Sequence, residues 1–376
     1  MSRLRARYEL RLATGESAEA RALDLAREQT VELPAGVAAA EREAASVGAV
    51  ESVAEVAPGV HAATIAYPLA ALGEADLLQL VNVLWGNVSL QRDARLLAVE
   101  WPRELLARFP GPALGVAGLR ALCGVERRPL TATALKPLGL APRELARLAG
   151  ECARGGIDLV KDDHGLADQE WAPFRERVLA VAGEIARANR ATGGRTLYVP
   201  NLTGPVDRLE ERLETLREAG VRAALVAPLL VGLDAVRALA AASGLALVAH
   251  PAFAGSLAGG TSGLALELLF GDLFRLAGAD AVVFPNAGGR FPFGYDDCRR
   301  IAGRLAAPLG ELAPSFLMLG GGIDAARLAA WIPRYSADTI WLVGGSLYAR
   351  ADLRSAAREM AELVRRVAPW PVEATA

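Results

Sequence analysis

Lysine is almost absent from this chain of 376 residues. Lysine and arginine together number 41, yet Lys136 and Lys161 are the only lysines. So strong a bias towards arginine indicates coding composition rather than chemistry. The two lysines that remain mark positions where arginine cannot serve, because a guanidinium stays protonated whereas a buried lysine amine can lose its proton. We take them as the leading candidates for chemistry.

Other scarce features exclude whole classes of protein. The three cysteines, Cys123, Cys152 and Cys298, are far apart and lack CxxC spacing, so neither a disulfide framework nor a zinc site is indicated. No apolar run approaches the roughly 18 residues of a membrane helix, and the N-terminus lacks the apolar block of a signal peptide. We therefore expect a cytoplasmic protein without a membrane segment. A formal net charge of −2 with dispersed arginines argues against nucleic acid and favours small-molecule partners.

The pattern of predicted elements changes at about residue 112. Residues 1–112 predict an α+β (ferredoxin-like) domain, with strands at Leu4–Leu12, His61–Tyr67 and Leu96–Trp101 and helices at Ser17–Arg27 and Glu74–Leu84. Residues 113–376 alternate short apolar runs with amphipathic helices. The predicted strands are Leu130–Leu135, Ile157–Val160, Thr196–Val199, Ala223–Val226, Leu245–Ala249, Ala281–Phe284, Phe316–Leu319 and Thr339–Val343. The predicted helices are Pro142–Arg154, Pro173–Ala188, Val206–Ala219, Leu233–Ala242, Leu264–Leu276, Tyr295–Leu305, Ala325–Ile332 and Ala351–Val367.

Eight such units over roughly 250 residues predict a (β/α)8 TIM barrel, whose active site lies at the carboxyl ends of the strands. A doubly wound sheet, the structural alternative, needs fewer strands. Rare polar side chains fall at those predicted ends: Lys136, Lys161, Asp162, Asp163, His164, Asn201 and His250. Each one alone suits a cap or a solvated loop equally well, but their convergence favours an active site. The remaining histidine, His61, is interpreted as a surface or packing residue.

Glycines follow the last two predicted strands. Gly320, Gly321 and Gly322 come after strand seven, and Gly344 and Gly345 come after strand eight. Glycine lets backbone N–H groups approach a phosphate closely, and barrels commonly bind phosphate at these two loops. One such loop serves a tight turn equally well. The two loops together favour a phosphorylated ligand.

Several motifs together resemble the large subunit of ribulose-bisphosphate carboxylase, or RuBisCO. They are ALKPLGL at 134–140, GGIDLVKDDHG at 155–165, the later LGGGI and VGGS, and GNVSL at 86–90. An α+β domain followed by a barrel is also the plan of that family. The resemblance covers most of the chain from about Gly86 onward. It implies a homodimer, because in the family an N-terminal segment reaches the site of the neighbouring subunit.

The resemblance implies a role for each matching residue. Lys161 matches the lysine that reacts with CO₂ to form a carbamate, and Asp163 matches a carboxylate that holds Mg²⁺ together with that carbamate. Lys136 matches a lysine that exchanges protons with the enediolate, and His250 matches a histidine near the substrate. The other matches are phosphate-loop glycines and an asparagine lent across the dimer interface, at Gly322, Gly344, Gly345 and Asn87.

The chain departs from the carboxylase pattern at several positions. In these departures it resembles the RuBisCO-like proteins, the branch of the family that does not fix CO₂. His164 stands where the carboxylase has a glutamate as third metal ligand, and KPLGL lacks the second lysine of the family motif. Pro251 replaces the arginine after the strand-five histidine, and Gly320 replaces a serine. Arg290 stands in the strand-six loop where the carboxylase has its lysine, and we expect it to contact the substrate.

The implied activity is enolisation, isomerisation or decarboxylation of a phosphorylated sugar or sugar acid, with a divalent ion stabilising an enediolate. Lys136 and the carbamate are both candidates for the base. With His164 at this position the resemblance does not fix the identity of the metal, because Mg²⁺ prefers oxygen ligands whereas imidazole suits Mn²⁺, Fe²⁺ or Zn²⁺. We favour Mg²⁺ with a water in place of the glutamate. Two other classes remain: a non-catalytic protein that binds phosphorylated ligands, and a Schiff-base aldolase in which a lysine attacks the substrate carbonyl.

Overall fold

The computed structural model describes residues 3–33, 46–72, 77–258 and 260–366. Its strands, in chain order, are β1 (Arg3–Arg11), β2 (Ala49–Ala57), β3 (Val60–Pro68), β4 (Ala94–Glu100), β5 (Leu130–Ala134), β6 (Leu159–Lys161), β7 (Leu197–Val199), β8 (Ala223–Val226), β9 (Ala246–Ala249), β10 (Gly263–Leu264), β11 (Ala281–Pro285), β12 (Phe316–Gly320) and β13 (Thr339–Leu342). They form two sheets. One has five strands in the order β10-β4-β1-β3-β2, and the other has eight in the order β7-β6-β5-β13-β12-β11-β9-β8.

The five-stranded sheet buries one face against two helices, Ala18–Glu28 and Leu77–Trp85. In β1, alternate side chains are buried because successive residues of a strand point to opposite faces: Leu4, Ala6, Tyr8 and Leu10. The predicted strands and helices of this region are confirmed, except that residues 74–76 of the second predicted helix lie outside the described residues.

Two features of this sheet differ from the sequence prediction. Strand β2 was not predicted; its sequence AVESVAEVA is rich in alanine and glutamate, which strands disfavour, and it forms by antiparallel pairing with β3. The predicted helix Leu264–Leu276 is wrong at its start, because β10 pairs in parallel with Arg95–Leu96 of β4. That segment is helical only from Glu267–Leu273, a π-helix, and Phe274–Leu276.

The eight-stranded sheet is the predicted barrel. All of its neighbouring pairs are parallel, and a bridge between Asn201 and Leu225 links the two edge strands, β7 and β8. The helices around it are Pro142–Arg154, Phe174–Thr192, Leu209–Glu218, Leu233–Ser243, Tyr295–Ala306, Ala325–Trp331 and Leu353–Arg366, together with the π-helical segment. Eight parallel strands, each followed by a helical segment, confirm the (β/α)8 barrel.

One end of the barrel is closed by a helix that the sequence did not predict, Gly115–Cys123. Its Val116 and Leu119 join the core of strand side chains inside the barrel. The backbone N–H groups of Leu114 and Gly115 donate to Asp280 Oδ1, at 2.7 and 2.6 Å, and Asp280 immediately precedes β11. The helix therefore covers the amino ends of the strands and leaves the carboxyl ends open. Within the described residues, no helix is both long and apolar enough to span a membrane.

Candidate active site

The two lysines lie side by side at the open end of the barrel. Lys161 is the last residue of β6, and Lys136 follows the neighbouring strand β5, whose Ala134 pairs with Lys161. Only 3% of Lys161 is exposed, and its Nζ donates to the backbone oxygen of Asp162 at 2.8 Å. Burial lowers the pKa of Lys161 to about 8, despite the nearby charge of Asp163. About a tenth of its amine is therefore neutral, and nucleophilic, at pH 7, far more than for an ordinary lysine.

Asp163 is the carboxylate around which the other charged groups gather. Lys136 Nζ donates a short hydrogen bond to Oδ2, while the His164 backbone N–H and ring Nδ1 both lie 2.8 Å from Oδ1. Burial opposes ionisation, but the hydrogen bonds from His164 and Lys136 outweigh it and hold the pKa of Asp163 well below its usual range. Asp163 is therefore a permanent anion between two amines.

The two predicted histidines form a stacked pair. The rings of His164 and His250 lie 4.3 Å apart between centroids, with 9° between their planes. Burial, helped by the charge of Lys161, lowers the pKa of His250 to about 3, so this ring is neutral. Its Nδ1 accepts a hydrogen bond from the Ala252 N–H at 3.1 Å. In a neutral imidazole the proton is then on Nε2, which makes His250 a hydrogen-bond donor.

A cavity of about 1050 Å³ brings these groups together with the glycine loops. The predicted site residues that line it are Lys136, Lys161, Asp163, His164, His250, Arg290, Gly320, Gly321, Gly322, Gly344 and Gly345. Gly321 and Gly322 have φ angles of 89° and 76°, a left-handed conformation that suits glycine. Gly344 and Gly345 begin a short helical turn. A second cavity, of about 940 Å³, lies at the amino ends of the strands and contains none of the predicted residues.

Asn87 and Asn201 lie outside the catalytic cavity. Asn87 is in the N-terminal part of the chain, where its Nδ2 donates to Glu28 Oε1 at 3.0 Å. Asn201, which lies two residues beyond the end of β7, is buried behind the loop that carries His164 and does not line the cavity. A site assembled from this chain alone therefore lacks Asn87.

Asp162 was grouped with the active-site residues from the sequence, but it too lies outside the cavity and turns away from it into a buried ion pair with Arg177. The alternation of side chains along a strand could have separated it from Lys161 and Asp163, which share one face. One part of the site was not predicted, an apolar wall of the cavity formed by Leu266, Phe270, Phe284, Phe291 and Phe293. Scattered over three segments, these residues form no local pattern.

Gly345 allows a direct test of the glycine loops. A Cβ built on it meets nothing within 4 Å and its φ is not left-handed, so Gly345→Leu should fold normally and fill part of the cavity. We expect its affinity for inorganic phosphate, measured by calorimetry, to fall about tenfold or more, which is about 1.4 kcal/mol. The matched control is Gly183→Leu, at an equally open position on the helix Phe174–Thr192 away from the cavity. Unchanged phosphate affinity in Gly345→Leu would mean that these glycines only turn the chain.

A barrel with a buried lysine, an adjacent carboxylate and paired glycine loops at the carboxyl ends of its strands has the architecture of an enzyme. Comparison with known proteins identifies which kind. The profile of the ribulose bisphosphate carboxylase large chain, catalytic domain, matches residues 115–291. The chain is 44% identical to a 5-methylthioribulose-1-phosphate isomerase from Rhodospirillum rubrum, over 93% of this chain and 92% of that protein.

Two further relatives agree. A 2,3-diketo-5-methylthiopentyl-1-phosphate enolase from Geobacillus kaustophilus is 36% identical, over 77% of this chain and 70% of that protein. The crystal structure of a RuBisCO-like protein from Rhodopseudomonas palustris matches with a TM-score of 0.89 and 41% identity, covering 98% of this chain and 99% of that one. The chain therefore belongs to the RuBisCO-like proteins, the non-carboxylating branch of the RuBisCO large-chain superfamily.

Proposed function

We propose that the protein isomerises a phosphorylated ketose through an enediolate, and that 5-methylthioribulose 1-phosphate is its substrate. The observation that carries the proposal is the composition of the cavity, which holds charged groups for proton transfer, glycine loops for a phosphate and an apolar wall. A ketose with one phosphate and an apolar thioether end needs all three. The glycine loops would bind its phosphate, the charged groups would move its proton, and the apolar wall would hold its thioether, whose sulfur packs favourably against aromatic rings. The isomerase from Rhodospirillum rubrum matches over nearly the full length of both chains, which favours isomerisation over enolisation.

The residues present fit a divalent ion in one chemical state of Lys161. Within the described residues, no three histidine, cysteine, aspartate or glutamate side chains are grouped to hold a metal. When both lysines are ammonium groups, Asp163 lies between two positive charges, and these charges disfavour the binding of a metal cation at Asp163. A carbamate on Lys161 changes that residue from +1 to −1 and adds oxygen donors beside Asp163. Carbamylated Lys161 and Asp163 would then hold Mg²⁺, with His164 or a water as a further ligand.

When bound, the ion supplies Lewis acidity that stabilises negative charge on the substrate oxygens. The remaining steps belong to the chain itself. Lys136 has its amine in the cavity beside Asp163 and exchanges the proton on the carbon next to the carbonyl. The neutral His250 donates from Nε2 to a substrate oxygen. The backbone N–H groups of the two glycine loops, together with Arg290, bind the phosphate.

A homodimer would complete this site. Asn87 lies outside the cavity of its own chain, and among the described residues its side chain donates a hydrogen bond to Glu28. We propose that it reaches the cavity of a second copy, as the resemblance implies. Dimerisation would then be necessary for full activity rather than for folding.

The proposed function is tested by solvent exchange. The protein, with Mg²⁺ and bicarbonate in D₂O, is given 5-methylthioribulose 1-phosphate and followed by proton and phosphorus NMR. We expect deuterium next to the carbonyl and a new ketose phosphate, both dependent on the metal. A parallel sample with ribulose bisphosphate and labelled bicarbonate should fix no label.

Other outcomes would point elsewhere. Turnover only of the diketo phosphate that gives the Geobacillus enzyme its name would make the protein an enolase. Inactivation by borohydride with substrate present would indicate a Schiff base on a lysine. Phosphate binding without exchange on any of these substrates would leave a ligand-binding protein.

A further inference from the structure

Three buried side chains stand behind the loop that carries Asp163 and His164. They are Asp162, Arg177 and Asn201, with exposed fractions of 0%, 0% and 1%. None of the three lines the catalytic cavity. They come from the end of β6, from the helix Phe174–Thr192 and from the residue that bridges β7 to β8. The loop is therefore held from three separate elements of the barrel.

Asn201 fixes the start of the loop. Its Nδ2 donates to the backbone oxygens of His164 and Leu166, both at 2.9 Å, and its own backbone N–H donates to Asp162 Oδ2 at 3.0 Å. Its Oδ1 accepts from the Thr203 N–H at 3.0 Å, so every polar atom of the amide is used. The side chain can adopt no other orientation without leaving a buried polar group unpaired, which costs about 1–3 kcal/mol.

Arg177 fixes the rest of the loop. Its two terminal nitrogens donate to the backbone oxygens of Ala172 and Ala167, at 2.7 and 2.8 Å, while Nε donates to Asp162 Oδ2 at 3.1 Å. Tyr198 donates to the other oxygen of Asp162 at 2.8 Å. A fully buried ion pair is weak support for stability, because desolvation offsets the attraction. Its donors instead determine the path of one loop, which places His164 and Asp163 in the cavity.

We propose that Asn201, Arg177 and Asp162 are positioning residues, which set where Asp163 and His164 stand and so control how tightly the site holds a divalent ion. The proposal rests on the proposed function only for the ion. The outer partners of metal ligands orient those ligands, and their loss typically lowers metal affinity about 10- to 100-fold. Here the partners act through backbone carbonyls rather than through the ligand side chains themselves.

Two variants test the proposal. Asn201→Asp keeps the volume and the acceptor for Thr203 but sets a carboxylate oxygen against the two carbonyls of the loop. Arg177→Lys keeps the charge beside Asp162 but cannot reach both carbonyls. The matched control is Arg275→Lys. Arg275 is 1% exposed and, like Arg177, donates to backbone oxygens, in its case those of Arg304, Ala307, Leu312 and Ala313; none of these residues lines the catalytic cavity.

Two measurements are made on each protein. Mn²⁺ affinity is measured by electron paramagnetic resonance in the presence of bicarbonate, and we expect it to fall about 10- to 100-fold in both test variants and to stay unchanged in the control. The ring signals of the histidines are followed by NMR without metal. Since the chain has only three histidines, we expect those of His164 and His250 to shift in the test variants while that of His61 does not.

The outcomes separate the two proposals. Shifted His164 and His250 signals with no Mn²⁺ binding even in the unaltered protein would support positioning and overturn the metal part of the proposed function. Unshifted signals in both test variants would overturn the positioning role. An equal loss of Mn²⁺ affinity in Arg275→Lys would overturn it as well, because the effect would then follow from general destabilisation.

Discussion

Replacement of Lys161 by arginine is expected to lower kcat/KM about 10³-fold or more while the protein stays folded. Arginine keeps a positive charge but cannot form a carbamate, since its guanidinium does not become a neutral nucleophile. The site would then lose its ion and several kcal/mol of stabilisation of the enediolate, at about 1.4 kcal/mol for each factor of ten. Activity and Tm are measured together, and ¹³C NMR with labelled bicarbonate should show a carbamate signal only in the unaltered protein.

Lys161→Met is a second variant that tests the same point if the arginine variant does not fold. The position is 3% exposed, and the larger guanidinium has little room there. Methionine has a similar length, carries no charge and removes the cost of burying an amine, so its Tm should be no lower than that of the unaltered protein. It should be as inactive as the arginine variant. Full activity in either folded variant would rule out the carbamate.

The pH dependence of activation gives an independent check on Lys161. Burial lowers the pKa of this amine to about 8, and CO₂ reacts only with the neutral form. At a constant concentration of dissolved CO₂, with bicarbonate adjusted at each pH, the rate of activation should therefore rise about tenfold per pH unit below that pKa and level off above it. An activation rate that does not change with pH across this range would mean that another group takes up the CO₂.

Much of the barrel could be predicted from local patterns, because each strand is buried and apolar and each helix is amphipathic. The eight strands were found for that reason. Strand β2 was not, since its alanines and glutamates form a strand only when β3 is alongside. The edge strand β10 was missed for the same reason, because its two residues pair with β4, some 170 positions earlier in the chain. Long-range pairing of this kind leaves no local signal.

The convergence of the candidate site residues was predictable for the same reason that the strands were. Strand ends determine which residues meet, and the scarcity of lysine and histidine made those at the strand ends stand out. Orientation was not predicted, although the alternation of side chains along a strand distinguishes the two neighbouring aspartates. Asp162 and Asp163 are adjacent and chemically identical, but one pairs with Arg177 behind the loop while the other faces the cavity. Asn87 is a separate case, because the contacts proposed for it are made with a second copy of the chain.

Replacement of Lys136 by methionine is expected to lower kcat about 10²- to 10⁴-fold and to abolish deuterium exchange, the usual effect of removing a general acid or base. Lys136 is the one amine of the site that remains available for proton transfer once Lys161 carries a carbamate. Its side chain is 41% exposed, so methionine should be accommodated without loss of Tm. Binding of inorganic phosphate should be unchanged, because the glycine loops are intact.

Lys136→Arg separates the two roles that this side chain can play. Arginine keeps the cation and the hydrogen-bond donor for Asp163, but it cannot accept a proton at any accessible pH. If Lys136 is the base, the arginine variant should be as inactive as the methionine variant. If the arginine variant retains activity, the residue acts by its charge, through the ion pair with Asp163. If deuterium exchange survives in both variants, the base lies elsewhere and the carbamate on Lys161 is the remaining candidate, because neutral His250 already uses its Nδ1 lone pair to accept from Ala252.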